Sequence, residues 1–261
     1  MSRYKDPRHI LITGASSGIG RALALAYAEK GVVLGLTGRD ADRLNEVADA
    51  CRAKGADVHQ AVLDVTARDM MHKWIMDLDI RLEFDLVIAN AGISGGTAGS
   101  HMMEPSDQVR KIFDVNVTGV FNTIDPVLPH MIERRRGQIA IMSSLAGFRG
   151  FPGAPAYSAS KAAVKVYGEA LRGSLHGTGV GVSVICPGFV RSPMTDANDY
   201  KMPFLMDVDK AARLIQRKIA RNKGRIAFPW PTFALAWFFS CLPDCLAQPM
   251  LRGMPEKKSL S

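Results

Sequence analysis

Cysteine is scarce in this chain: four residues in 261, Cys51, Cys186, Cys241 and Cys245. So few thiols exclude a disulfide-built scaffold and point to reduced thiols in a cytoplasmic protein. Met1 to His9 is polar and runs straight into Ile10-Leu11-Ile12, without the charged-then-apolar leader of a secreted chain. No uninterrupted apolar run reaches the ~20 residues of a comfortable membrane span. Six scattered histidines show no metal-ligand spacing, so no metal is expected. Low-complexity tracts and internal repeats are absent too, which argues against disorder and solenoids. The excess of base over acid, +8, is spread along the chain, and Arg134-Arg135-Arg136 is its longest basic run. Charge so distributed excludes a recognisable nucleic-acid module but suits a surface that attracts anions.

What is present is enough for one large core: 47% of the residues are hydrophobic and 22% charged. Short apolar strands alternate with helical patterns. The strands read as Ile10–Ile12, Val32–Thr37, Val58–Leu63, Asp85–Ala89, Gln138–Met142, Val180–Ile185 and Arg225–Phe228. This alternation predicts an α/β fold with a parallel sheet covered on both faces. Ligands bind such sheets at the carboxyl ends of the strands.

The first strand ends in Thr13-Gly14-Ala15-Ser16-Ser17-Gly18-Ile19-Gly20, and helical spacing follows through Ala22, Leu23, Ala26 and Tyr27. A strand, a glycine turn and a helix N-terminus form an anion site, because unpaired amides and the helix dipole face the ligand. The second strand ends in Thr37-Gly38-Arg39. No carboxylate stands at the strand end to meet a ribose 2′-hydroxyl, whereas a guanidinium suits a 2′-phosphate. NADP(H) is therefore favoured over NAD(H), with Asp40 and Asp42 the features that argue the other way. Asp64-Val65 and Asn90-Ala91-Gly92 close two further strands. Asp64 can accept from an adenine amino group or cap its loop, and Asn90 can brace the sheet edge or meet the cofactor.

Gly95 to Met103 reads as a glycine-rich loop. A helical region from Ser106 to Arg134 follows, carrying Asn116 and expected to kink or split at Pro126 and Pro129. Asparagine inside a helix needs a specific task for its side chain. The fifth strand ends in Ser143-Ser144, and a helix beginning near Tyr157 carries Lys161 one turn on. An ammonium about 4 Å from the phenol is worth up to ~4 kcal/mol at an effective dielectric of about 20. That would bring Tyr157 towards the working range of a general acid or base.

These motifs, in this order and spacing from about residue 8 to residue 195, resemble the short-chain dehydrogenase/reductase family. The resemblance implies a Rossmann-type, three-layer doubly wound sandwich with a parallel sheet of about seven strands. It implies a catalytic tetrad of Asn116, Ser144, Tyr157 and Lys161, with Ser144 favoured over Ser143 by its spacing to Tyr157. Ser144 would polarise the substrate oxygen and Tyr157 would move its proton. Lys161 would tune the phenol and hold the nicotinamide ribose, and Asn116 would position a water leading to solvent. Gly14, Ser16, Ser17, Gly18, Ile19 and Gly20 would line the phosphates, and Pro187, Val190 and Ser192 the nicotinamide end. The expected activity is hydride transfer between a nicotinamide and a carbonyl or secondary alcohol. The alternative is a non-catalytic dinucleotide-binding sensor or scaffold. A homodimer or homotetramer is expected.

The chain reads as one domain, with a cofactor half at 8–135, a catalytic half at 136–228 and an apolar extension at 229–261. Met194 to Met206 is expected to be an apolar substrate lid. The stretch Phe228 to Leu251, broken by prolines, admits three readings: a subunit interface or pocket wall, monotopic membrane attachment beside Arg252, Lys257 and Lys258, or a membrane anchor. Cys241 and Cys245 are expected to pack within it.

Overall fold

The computed structural model describes residues 7–97, 103–251 and 257. Seven parallel strands form one sheet in the order β3-β2-β1-β4-β5-β6-β7. They are β1 (His9–Ile12), β2 (Val33–Gly38), β3 (Asp57–Val62), β4 (Leu86–Ala89), β5 (Gly137–Met142), β6 (Val180–Pro187) and β7 (Arg225–Phe228). Each differs from its sequence-read span by at most two residues. Helices α1 (Gly18–Tyr27), α2 (Ala41–Ala53), α3 (Arg68–Leu82) and α4 (Ser106–Phe113) belong to the first half. Next come α5 (Gly119–Ile124), α6 (Leu128–Glu133), α7 (Pro155–Ser174) and α8 (Pro193–Asp196), then α9 (Val208–Ile219), α10 (Trp230–Cys241) and α11 (Asp244–Leu251).

Strand alternation divides the core into two layers. Ile10, Ile12, Leu34, Leu36 and Ile88 point to one face and pack with Leu23, Leu44 and Ile215 of α1, α2 and α9. Leu11, Val87, Ala89, Ile139 and Ile141 point to the other, against Ile75, Ile124 and Val164 of α3, α5 and α7. A sheet apolar on both faces needs helices on both, which is the doubly wound arrangement expected. The strand order reverses between β1 and β4, each hydrogen-bonded to the other from Ile10 against Leu86 onwards. Such a switch point opens a crevice at the carboxyl ends of the strands.

The long helical region breaks earlier than its prolines require. After α4 the chain forms a single π-helical turn at Asp114–Thr118, then α5, then a turn across Pro126 before α6. Asn116 lies at the middle of this π turn, and such turns recur at functional sites. Asp79 on α3 anchors the far end of this region. It is buried and accepts from the Phe84 amide at 2.8 Å, His130 Nδ1 at 2.9 Å and Arg134 Nη1 at 3.3 Å.

Some expectations change. Cys241 and Cys245 are exposed rather than packed, because they lie on the outer sides of α10 and α11; Cys51 and Cys186 are buried, and all four are free. Within 194–206 the chain forms the short helix α8 and then a loop whose Met206 bridges to Val190. Residues 98–102 of the glycine-rich loop, Arg252 and Lys258 lie outside the described residues. No helix among the described residues is long and apolar enough to cross a membrane.

Candidate active site

At the β1–α1 turn, Gly14 takes φ of +65°, a conformation natural to glycine. The turn is drawn in tightly: Ala15 N donates to Thr37 O at 2.8 Å and Thr13 N to Ile88 O at 3.1 Å. A Cβ on Gly14 would come within 2.8 Å of Ala91 Cα, and one on Gly20 within 2.2 Å of Gly14 O. Only glycine fits either place. Ser17 caps α1 without a side-chain bond, so its hydroxyl and the first helix amides are left to the cleft. This cradle suits a pyrophosphate. Asn90 is a brace: its Nδ2 donates to Thr13 O at 2.9 Å and Gly14 O at 3.2 Å. It also lines the cleft with Ala91 and Gly92.

Beyond β2, Arg39 is half-exposed at the cleft mouth, its Nη1 3.7 Å from Asp64 Oδ2. Asp64 also holds its own loop, accepting from Thr66 N at 2.9 Å and Thr66 Oγ1 at 2.8 Å. Asp40 is committed elsewhere. It caps α2 by accepting from Arg43 N at 3.0 Å and pairs with the Arg43 guanidinium at 2.6 Å. The backbone hydrogen bond from Arg43, and next its side-chain bond, hold Asp40 below the usual carboxylate range. Ser16 lies against the end of β2, where a Cβ on Gly38 would meet its Oγ at 2.9 Å.

The reactive end is organised by α7, which opens with Pro155 at its first helical position. Its buried face carries Ser160 and Lys161, and a Cβ on Gly168 would come 2.6 Å from Val184 Cγ2, so the helix sits close on β6. Ser143 and Ser144 separate here. Ser143 Oγ donates to Lys161 O at 2.7 Å and is buried, whereas Ser144 shares a side-chain hydrogen bond with Tyr157. Ser144 Oγ also accepts from Ala146 N at 3.1 Å. Lys161, 3% exposed, donates from Nζ to Met142 O at 3.0 Å. Burial pulls its ammonium down to about 8.

The phenol behaves differently from the sequence expectation. Burial pushes Tyr157 above its ordinary value, the Ser144 hydrogen bond draws it partly back, and Tyr200 adds to the rise. The physical reason is placement: Lys161 Nζ is engaged by Met142 O and lies 5.9 Å from the Tyr157 ring centroid. Asn116 is fully occupied. Its Oδ1 accepts from Ile93 N at 2.8 Å, and its Nδ2 donates to Ile93 O and Ser160 Oγ, each at 3.0 Å. A Cβ on Gly92 would stand 3.1 Å from both Asn116 Oδ1 and Lys161 Nζ, so both polar groups converge there.

Of the catalytic and cofactor-binding residues anticipated from sequence, all except Gly20 and Asn116 line one cleft of about 500 Å³. Gly20 and Asn116 support it from behind. Pro187, Val190 and Ser192 border its inner part, with Ser192 capping α8 through a reciprocal pairing with Thr195. Phe151 also lines it and was missed by the sequence reading, whereas Tyr200 falls in the stretch expected as a lid and Thr232, Leu235 and Phe239 in the stretch for which a pocket wall was among the readings. Those from α10 bring the apolar extension back as a pocket wall, tied down by Phe148 stacked edge-on to Phe233 at 5.6 Å and by Arg149 paired with Asp244. Lys257 arrives from the tail, donating to Ser94 Oγ at 2.6 Å and lying 5.1 Å from the Tyr157 ring centroid. No local pattern marks it, since its place depends on the path of the whole extension.

A phosphate cradle at a sheet switch point, continuous with a Ser–Tyr–Lys cluster, defines a Rossmann-type oxidoreductase that uses a nicotinamide dinucleotide. Comparison with known proteins agrees. The chain belongs to the short-chain dehydrogenase family, whose sequence model matches residues 8–202. An uncharacterized oxidoreductase of Myxococcus xanthus strain DK1622 is 46% identical over 240 residues, 92% of this chain and 94% of that protein. A 3-oxoacyl-[acyl-carrier protein] reductase of Brucella melitensis, solved with bound NAD, is 29% identical with a TM-score of 0.73, covering 86% of this chain and 92% of that one. A short-chain dehydrogenase from Sphingobium yanoikuyae, solved in complex with NADPH, shares the fold at 24% identity and a TM-score of 0.77, covering 97% and 98%. The protein is an NAD(P)-dependent oxidoreductase acting on CH–OH groups.

Proposed function

We propose that this protein is an NADP(H)-dependent reductase or dehydrogenase for the carbonyl or secondary alcohol of a largely apolar substrate, with Tyr157 as the general acid and base. The convergence of Ser144, Tyr157 and Lys161 on the cleft that also holds the glycine cradle carries this reading. When bound, the nicotinamide supplies or accepts the hydride. Ser144 and Tyr157 together hold the substrate oxygen, and Tyr157 gives it a proton in reduction and removes one in oxidation. A phenol held above its ordinary value keeps its proton until that oxygen takes it, which suits the acid role. Lys161 supplies positive charge beside the phenolate that forms, and Asn116 keeps the Lys161 region connected to the Ile93 loop. In this reading residues 8–135 hold the cofactor, 136–228 perform the chemistry and the extension from 229 closes the substrate end, all as one domain.

The preference for the 2′-phosphate is supported by Arg39 at the cleft mouth, by Ser16 beside Gly38, and by the commitment of Asp40 to Arg43. Leu145, Phe151, Leu235, Ala236 and Phe239 support an apolar substrate body. The free thiols fit a reducing, cytoplasmic setting. On the outer side of α10 and α11, Trp230, Trp237, Phe238, Leu246 and Met250 are each at least half exposed. That apolar surface supports a contact with a second copy of the chain or with a lipid surface. Liposome sedimentation beside sedimentation-velocity analysis distinguishes the two.

Tyr157→Phe tests the core of the proposal. NADPH-dependent reduction of ketones should fall by roughly 100- to 10,000-fold, while NADPH titration by fluorescence stays within about twofold of the parent, since the change removes only a hydroxyl. Undiminished turnover would remove Tyr157 from the chemistry. Cofactor binding without turnover by the parent on any carbonyl would instead favour the sensor reading.

A further inference from the structure

The substrate end of the cleft is electrically one-sided. Two ammonium groups lie close to the Tyr157 ring: Lys161 Nζ at 5.9 Å from its centroid and Lys257 Nζ at 5.1 Å. The only carboxylates among the described residues lining the cleft are Asp40 and Asp64, both at the opposite, Arg39 end and both already engaged. Lys161 has a task in the chemistry proposed above and a backbone partner in Met142. Lys257 has neither. Among the described residues its one hydrogen bond is to Ser94 Oγ at 2.6 Å, and the other two ammonium donors have no partner among them. No aspartate or glutamate among the described residues pairs with it.

Nor is Lys257 loosely placed. A Cβ on Gly96 would come within 2.4 Å of Lys257 O and 2.3 Å of Gly153 O, so this part of the tail lies directly against the backbone after β4. Enclosure there draws the ammonium down to about 8, the mark of a cation that has lost water without gaining a counter-ion. A carboxylate at this point would replace the missing hydration with a charge-assisted hydrogen bond.

We propose that Lys257 receives a carboxylate of the substrate, so that the cleft selects oxo acids and the corresponding hydroxy acids. This rests on the reductase reading above and narrows its substrate class. The geometry also limits where the acid lies. A carboxylate bonded to Lys257 at about 2.8 Å stands within about 8 Å of the Tyr157 ring centre. The acid is therefore separated from the reacting carbonyl carbon by a few bonds, with the apolar body extending along Leu235 and Phe239. Lys161, its ammonium 5.9 Å from the same ring centre, adds to the attraction.

The test compares 2-, 3- and 4-oxopentanoate with their methyl esters, which keep the carbonyl and remove the charge, using full-length protein and NADPH. The best acid should exceed its ester in kcat/KM. Lys257→Met should lower kcat/KM for that acid by about 10- to 100-fold, the range of a hydrogen bond to a charged group, and leave the ester unchanged. Lys257→Arg should restore much of the acid's rate. Equal effects on acid and ester, or no effect on either, would overturn the assignment. If the parent reduces none of the six, the reductase reading fails on this panel, and Lys257 is judged by calorimetric titration of the three acids. Binding to the parent that Lys257→Met abolishes supports the site; equal binding to both, or none to the parent, overturns it.

Discussion

Replacing Arg39 with alanine should separate the two nicotinamide cofactors. Charge-assisted hydrogen bonds from a guanidinium to a phosphate are worth about 1.5–3 kcal/mol. The gain here is smaller, because Arg39 is half exposed and already stands 3.7 Å from Asp64 Oδ2 in the free protein. Giving up a surface pair of that kind costs about 0–1 kcal/mol. The difference leaves about 0.5–3 kcal/mol for the 2′-phosphate, which corresponds to a loss of about 2- to 160-fold in NADPH affinity. NADH lacks the phosphate and should change by less than about twofold on the same estimate. Arg43 cannot readily take over, since its Nε and Nη2 are both bonded to Asp40 at 2.6 Å. Fluorescence titration of each cofactor against parent and variant gives the two ratios directly. Gly20→Ala is the control: its Cβ would press on Gly14 O at 2.2 Å, so both cofactors should weaken together. Equal losses of NADPH and NADH in Arg39→Ala, or no loss of either, would refute the assignment of the phosphate to Arg39.

Other outcomes can be checked independently. Asp79→Ala should destabilise the fold by about 3 kcal/mol or more, because it strands a largely buried Arg134; a denaturation midpoint unchanged within error would contradict that. Lys161 carries a value near 8, below the ordinary lysine value, so its ammonium is lost as pH rises through 8. The kcat/KM for ketone reduction should accordingly fall on the alkaline side of about 8, and a flat profile to pH 10 would speak against a charged Lys161 in the rate. The same shift has a stability consequence of opposite sense. Burying the charged form costs most below pH 8, and that cost is relieved between 8 and 10.5. Measured as a difference from Lys161→Met, stability should therefore rise across that window; a difference that falls or stays level would refute it.

Much of this molecule was legible before any coordinate. The uninterrupted apolar runs of Ile10–Ile12, Leu34–Leu36 and Leu86–Ala89 require two covered sheet faces, and strands separated by helices point to parallel pairing. The glycine turn from Gly14 to Gly20 and the one-turn spacing of Tyr157 and Lys161 are local patterns, so they survive in one dimension. What could not be read locally was everything set by long-range closure. Tertiary structure decided that Ser143 is spent on the Lys161 carbonyl while Ser144 meets Tyr157, and that Asn116 sits in a π turn facing Ile93. It decided that burial outweighs the neighbouring ammonium at Tyr157, because a pKa depends on where Lys161 Nζ points as well as on how many residues away it lies. It also brought α10 back as a pocket wall and set Lys257 beside a ring one hundred positions earlier in the chain. Sequence determined the cradle and the reactive pair because each is built within a few consecutive turns; packing alone decided the charge and shape of the space in front of them.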